Sequence, residues 1–187
     1  MSPDMHLWER KSHPPLATSN PYSATVAYGF IGVDYGVKKL AMAALPLEWG
    51  GAAPVAFSHF WSSQVTADDV LQMAPLVLNG WLKEIGASNE WMFIEYPFLA
   101  HNRKTAMRMG MMAGALFAAA SPIVSYVDFV EPSTWKKHVV GRGNANKEDT
   151  MNYLTANHPD LTFLNDDEAD SWCMALYAEM LSQDEAA

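Results

Sequence analysis

The stretch "GFIGVDYGVKKLAMAAL", residues 29 to 45, decides how the rest of the chain is read. It runs apolar into Asp34, turns at a glycine and resumes as a second apolar run. Short apolar runs joined by tight turns predict an antiparallel meander. Three strands are expected: "ATVAYGFIGVDYG" (24–36), "KKLAMAALPL" (38–47) and "APVAFSHFW" (53–61).

Beyond residue 65 the period changes. "TADDVLQMAPLVLNGWLKEIG" (66–86) reads as a helix capped by Thr66, with Asp68 and Asp69 in its first turn and Gly86 at its stop. "EWMFIEYP" (90–97) is a short apolar strand ending in an acid and a proline, and "IVSYVDFV" (123–130) is another buried strand. Between them, "NRKTAMRMGMMAGALFAAA" (102–120) is a helix whose small residues suit close packing on a sheet. "PSTWKKHVV" (132–140), "KEDTMNYLTANH" (147–158) and "DEADSWCMALYAEML" (167–181) are helical, with "GRGNAN" (141–146) as a loop. This order predicts an α/β domain over residues 24–187, a mixed five-stranded sheet flanked by helices. Residues 1–23, polar and rich in proline and serine, read as a flexible arm with no signal peptide.

A chain of 187 residues suits one such domain. Its single cysteine, Cys173, sits in an apolar run, which excludes a disulfide framework and fits a reducing cytosol. The uncharged run 109–127 has nearly the length of a membrane span, but Ser121-Pro122 cuts it into a helical and a strand-like piece. The expectation is a soluble, cytoplasmic protein with no membrane partner.

A net charge of −9 argues at first against nucleic acid. Its distribution argues the other way. Between 101 and 147 lie Arg103, Lys104, Arg108, Lys136, Lys137, Arg142 and Lys147, against only Asp128 and Glu131.

The acids gather elsewhere. "FLNDDEADSWCMAL" (163–176) crowds Asp166, Asp167, Glu168 and Asp170 ahead of an apolar helix. Asn165 as N-cap with Glu168 three residues later is a capping-box pattern, and acids favour this end of the helix dipole. Capping accounts less well for Asp167 and Asp170, three apart on one helix face, where like charges repel. Asp34 and Glu95 each close an apolar strand. Read singly, Asp34 is also a turn residue and Glu95 a surface acid. If their strands are neighbours, however, the two carboxylates stand side by side where α/β sheets bind ligands. Acids grouped without histidine or thiol specify hard cations, Mg²⁺ or Mn²⁺. Two such ions about 4 Å apart activate a water and stabilise the leaving oxygen of a phosphodiester.

These segments resemble the RuvC-type Holliday junction resolvases of the RNase H-like superfamily, in order from about residue 28 to 180. "GVDYGVKKLAMAAL" is similar to the family's first strand-turn-strand, and "FIEYPFLAHNRKTAMRMGMMAGALFAAA" to its glutamate strand and following helix. "STWKKHVVGRGNANKEDTMNYL" resembles its basic helix, glycine-rich loop and next helix, and "DDEADSWCMALYA" its acidic C-terminal helix. The resemblance implies a crossover junction endodeoxyribonuclease with Asp34, Glu95, Asp167 and Asp170 holding two Mg²⁺, replaceable by Mn²⁺. A register of Asp166 with Asp170 is the alternative, although the three-residue spacing favours Asp167. It further implies Lys136 (with Lys137 beside it) and Lys147 near the DNA and the scissile phosphate, and Phe98 stacking on a junction base. The partners it implies are four-way and other branched DNA and a second copy of the chain, since two symmetric nicks call for two sites. "GMMAG" (Gly110, Gly114) reads either as helix packing on the sheet or as that homodimer contact. Two alternatives stand beside this reading: an RNA-directed nuclease of the YqgF kind and a non-catalytic branched-DNA-binding module.

Overall fold

The computed structural model describes residues 28–49, 53–88, 90–97 and 102–186. The expected arm and Phe98 lie outside the described residues. Ten elements follow in chain order: β1 (Tyr28–Gly36), β2 (Lys39–Pro46), β3 (Val55–Phe60), α1 (Ala67–Glu84), β4 (Trp91–Glu95), α2 (Arg103–Ala120), β5 (Tyr126–Val130), α3 (Pro132–Val139), α4 (Lys147–Asn157) and α5 (Asp166–Ala186). The sheet order is β3-β2-β1-β4-β5, with β1-β2-β3 antiparallel and β1-β4-β5 parallel. This is the mixed five-stranded sheet that the sequence predicts. No helix among the described residues is long and apolar enough to cross a membrane.

Alternation along the strands sorts the core into two layers. Ile31, Val33 and Tyr35 of β1 and Met92 and Ile94 of β4 pack with α1 and α2 on one face. Phe30 of β1 and Trp91 and Phe93 of β4 pack with α3, α4 and α5 on the other. By the same parity Asp34 and Glu95 belong to the α5 face.

Helix starts follow local chemistry. Thr66 and Asp69 form a reciprocal capping box at α1, as do Asn146 and Asp149 at α4, and Asn102 caps α2. Each satisfies backbone N–H groups that the first turn leaves without partners. Gly86 follows α1 with φ +71°, a conformation that glycine adopts without penalty. β5 begins only at Tyr126, because the chain past Ser121 spends several residues in turns before it pairs with β4.

The close helix-to-sheet approach is at Gly32, not in α2. A Cβ on Gly32 would stand 2.0 Å from the Ser171 carbonyl oxygen and 2.7 Å from the Ala175 nitrogen. The bare backbone therefore lets α5 lie directly on β1. In α2 the inward residues are Met112, Ala113, Leu116 and Ala120, while Gly110 and Gly114 face open space. The sheet-packing reading of "GMMAG" is thus corrected: helical periodicity turns these two glycines outward.

Candidate active site

Val33 and Ile94 are paired across the parallel β1–β4 ladder. Asp34 and Glu95 come one residue later on each strand, so they leave the sheet side by side. Asp34 is buried, and its backbone N–H donates to the Ser171 hydroxyl at 3.3 Å. That hydroxyl donates in turn to the Asp167 carbonyl at 2.9 Å. Ser171 therefore ties the acid end of β1 to the first turns of α5, and Gly32 admits the helix. Asp167 and Asp170 arrive at the same rim.

The electrostatics record the crowding. Burial raises the Asp34 pKa well above the ordinary value, and the Glu95 charge adds to this, while Lys39 opposes it. Burial also raises Glu95, reinforced by Asp170 and opposed by a hydrogen bond from Trp135 and by the Lys136 and Lys39 charges. Asp170 is pushed up to about 6, first by burial, against the pull of Lys136, Lys39 and Lys147. Its Oδ1 is buried with no hydrogen-bond partner.

Asp166 and Asp167 go different ways. Asp167 is buried and accepts from the Lys39 ammonium, whereas Asp166 turns outward and pairs with Lys147. The three-residue spacing of Asp167 and Asp170 thus lies toward β1, and the alternative acid lies at the edge. A hydrogen bond from Lys147 holds the Asp166 carboxyl below its ordinary value and, reciprocally, raises Lys147.

Three contributors escape local sequence reading. Lys39 donates to Asp34 Oδ2 at 2.7 Å and also to Asp167 Oδ1. Trp135, fully buried, donates its Nε1–H to Glu95 Oε2 at 3.3 Å, with the Lys136 ammonium 5.2 Å from its ring centroid. Glu168, expected to cap, is buried instead: it accepts from the Ser58 hydroxyl at 2.6 Å and the Leu164 N–H at 2.7 Å. Asn165 does accept from the Glu168 N–H at 2.9 Å. The cap is therefore half present, and the Glu168 side chain ties α5 to β3.

The basic residues divide as well. Arg103, Lys104 and Lys137 are exposed. Arg108 is held by Asp68 of α1 at 2.9 Å, and Arg142 by Asp149 of α4.

Among the described residues, no group of three or more His, Cys, Asp or Glu side chains is arranged to hold a metal ion as it stands. The chemistry of the set nevertheless fits a hard cation. The donors are all carboxylate oxygens, one of them buried without a partner, and an ammonium already bridges Asp34 and Asp167. A positive charge belongs in this space.

A mixed five-stranded sheet covered by helices on both faces, with carboxylates gathered beyond β1 and β4, is an RNase H-like α/β domain. The chain belongs to the RuvC family: residues 31–175 match the family described as crossover junction endodeoxyribonuclease RuvC. No curated protein matches it in sequence. Among solved structures, Thermus thermophilus RuvC is similar at 21% identity and a TM-score of 0.61, over 81% of this chain and 96% of that one. T. thermophilus RuvC in complex with Holliday junction substrate is similar at 20% identity and a TM-score of 0.63, over 82% and 97% respectively. At this identity the likeness to these structures is one of fold.

Proposed function

We propose that this protein is a divalent-metal-dependent endonuclease that resolves four-way DNA junctions by paired, symmetric phosphodiester cleavage, and that it accepts other branched DNA. One observation carries the reading beyond family membership. Four carboxylates from β1, β4 and α5 meet at one rim, and burial raises the pKa of Asp34, Glu95 and Asp170, so their charged forms are held there at a cost. Stability alone does not select such a cluster.

Asp34, Glu95, Asp167 and Asp170 would hold two Mg²⁺ ions, or Mn²⁺ in their place. Bound there, the metal supplies an activated water and charge stabilisation at the leaving oxygen. The protein's own residues do the rest. Trp135 orients Glu95 through its indole N–H, and Ser171 fixes the Asp34 backbone to α5. Lys136 and Lys147 stand at the edge of the acid cluster, where their charges act on Asp170 and where a phosphate backbone would pass. Arg103, Lys104 and Lys137 extend that path as exposed phosphate contacts; Arg108 and Arg142 would first have to leave Asp68 and Asp149. Phe98, three residues past the β4 end, is assigned to stacking on an unpaired junction base, a contact worth about 1–3 kcal/mol.

The homodimer is assigned to the outer faces of α1 and α2. Met73, Leu76, Met107 and Met111 are exposed there, and Gly80, Gly110 and Gly114 leave room for a close approach. A second copy would supply the second cut.

The test is cleavage of matched four-way junction, flap, duplex, single strand and RNA–DNA hybrid, with Mg²⁺, Mn²⁺ or EDTA. Metal-dependent paired nicking of the junction is expected. Preferred cutting of the hybrid would support the RNA-directed alternative. Tight junction binding with no cutting in either metal would leave a binding module.

A further inference from the structure

The turn between β1 and β2 does more than reverse the chain. Gly36 is paired with Lys39 and Asp34 with Ala41, so in this antiparallel ladder Lys39 starts β2 on the same face as Asp34. The lysine stem then lies across β1 at a place where no side chain intervenes. A Cβ on Gly36 would meet Lys39 Cγ at 2.7 Å and Cε at 2.9 Å. Gly36 is thus the groove in which the stem lies, and the ammonium is delivered between Asp34 Oδ2, at 2.7 Å, and Asp167 Oδ1.

On the reading that these acids bind metal, we infer that the Lys39 ammonium and a divalent cation are alternative occupants of the space between Asp34 and Asp167. Lys39 is then a built-in counter-ion: it holds the two acids together until it is displaced, and it weakens metal binding by competing for the same oxygens. Its seat has the features this requires. The ammonium bonds directly to one acid from the strand and one from the helix, which no other cation among the described residues does. Its charge is also felt at Glu95 and Asp170, so the whole rim responds to its position. The side chain is 31% exposed, so the ammonium can swing into solvent on its flexible stem without unfolding the turn. A dication placed within a few ångströms would repel it and take its acceptors.

Lys39→Met keeps the stem and removes the charge. Gly36→Ala keeps the charge and crowds the stem out of its groove; Gly36 is not among the glycines of positive φ, so alanine fits its backbone. Mn²⁺ binding to EDTA-stripped wild-type protein and to both variants should be measured by calorimetry, with the melting temperature in EDTA. Lys39→Met is expected to bind Mn²⁺ at least about tenfold more tightly and to melt lower in EDTA, because its acids lose their partner. Gly36→Ala should shift both readouts in the same direction by less, and it carries the test should Lys39→Met fail to fold. Wild-type binding with equal or weaker affinity in the variants would overturn the exchange, because lysine and metal would then coexist, and the metal reading would survive. If neither wild type nor variants bind Mn²⁺, both fall together. Binding by Lys39→Met alone would mark Lys39 as a strong guard of the site and support the exchange.

Discussion

β1 presents Ile31, Val33 and Tyr35 to α1 and α2, and Phe30, Gly32 and Asp34 to α5. The first set is a continuous apolar row, and helices pack on it through ordinary side-chain contact. The second gives up packing volume at Gly32 so that a helix backbone can reach the sheet, and then buries a charge. The same contrast recurs on β4, where Met92 and Ile94 face α1 and α2 while Phe93 leads to Glu95 on the α5 side. Both faces secure the fold with apolar area. The α5 face in addition buries polar groups at some cost in stability, as functional sites commonly do.

Gly32 is the sharpest point of that contrast. Gly32→Ala is expected to force α5 off β1, costing at least about 1–3 kcal/mol and separating Asp167 and Asp170 from Asp34. Thermal melting together with metal-dependent cleavage checks this. A variant that melts like wild type would mean that the helix contact is looser than it looks. Gly110→Ala on the outer face of α2 meets nothing within 4 Å in the single chain, so at concentrations too low for pairing it should raise stability slightly through helix propensity, while an added methyl on the assigned dimer face should weaken pairing.

Glu168→Gln comes next. The capping pattern alone assigns this acid a cost below about 1 kcal/mol. Buried, with bonds from Ser58 and Leu164, it should instead cost about 1–3 kcal/mol of melting stability while leaving Asp34, Glu95, Asp167 and Asp170 in place. A change smaller than that would return Glu168 to the role of a simple cap.

The smallest effect is that of pH. Asp170 in the folded protein titrates near 6, above the ordinary aspartate value of 3.8. The folded state therefore keeps a proton that the unfolded chain has lost, and stability falls as pH rises through about 4 to 6. Asp34 and Glu95, also raised, act with the same sign. Asp166, Asp69 and Asp149 are lowered, so their losses come only below the ordinary carboxylate range. EDTA-stripped protein should thus melt higher at pH 5.5 than at pH 7.5. Asp170 alone contributes on the order of 1 kcal/mol, or about 2–4 °C for a chain of this size. Asp170→Asn should remove that share.

The fold was legible because its signals are local. The short apolar strands, the Thr66 cap and the placement of Asp34 and Glu95 at strand ends can all be read within a window of a few residues. The rest depends on contacts between distant segments. Lys39 and Asp167 are 128 positions apart, and a lysine at a strand start looks like ordinary surface charge. The hairpin register would have placed Lys39 on the Asp34 face, and a glycine inside "FIGVD" was a sign of close backbone approach. Trp135 is a core residue, and its indole N–H contact with Glu95 has no sequence signature. The "GMMAG" spacing marks one helix face without saying which way that face turns; only the packing of Met112 and Leu116 inward settles it.

The central claim is that the acids at the mouth of α5 are there for cleavage and not for starting a helix. Single-turnover cleavage of a four-way junction by Asp170→Asn and wild type, in Mg²⁺ and with junction affinity measured on the same samples, tests it most directly. Asp170→Asn keeps the size and polarity of the side chain and removes one half-buried charge. The account predicts junction affinity equal to or tighter than wild type, with cleavage slower by about a hundredfold or more, a loss of about 2.7 kcal/mol of transition-state stabilisation. Cleavage near the wild-type rate would contradict it and return the cluster to the helix start.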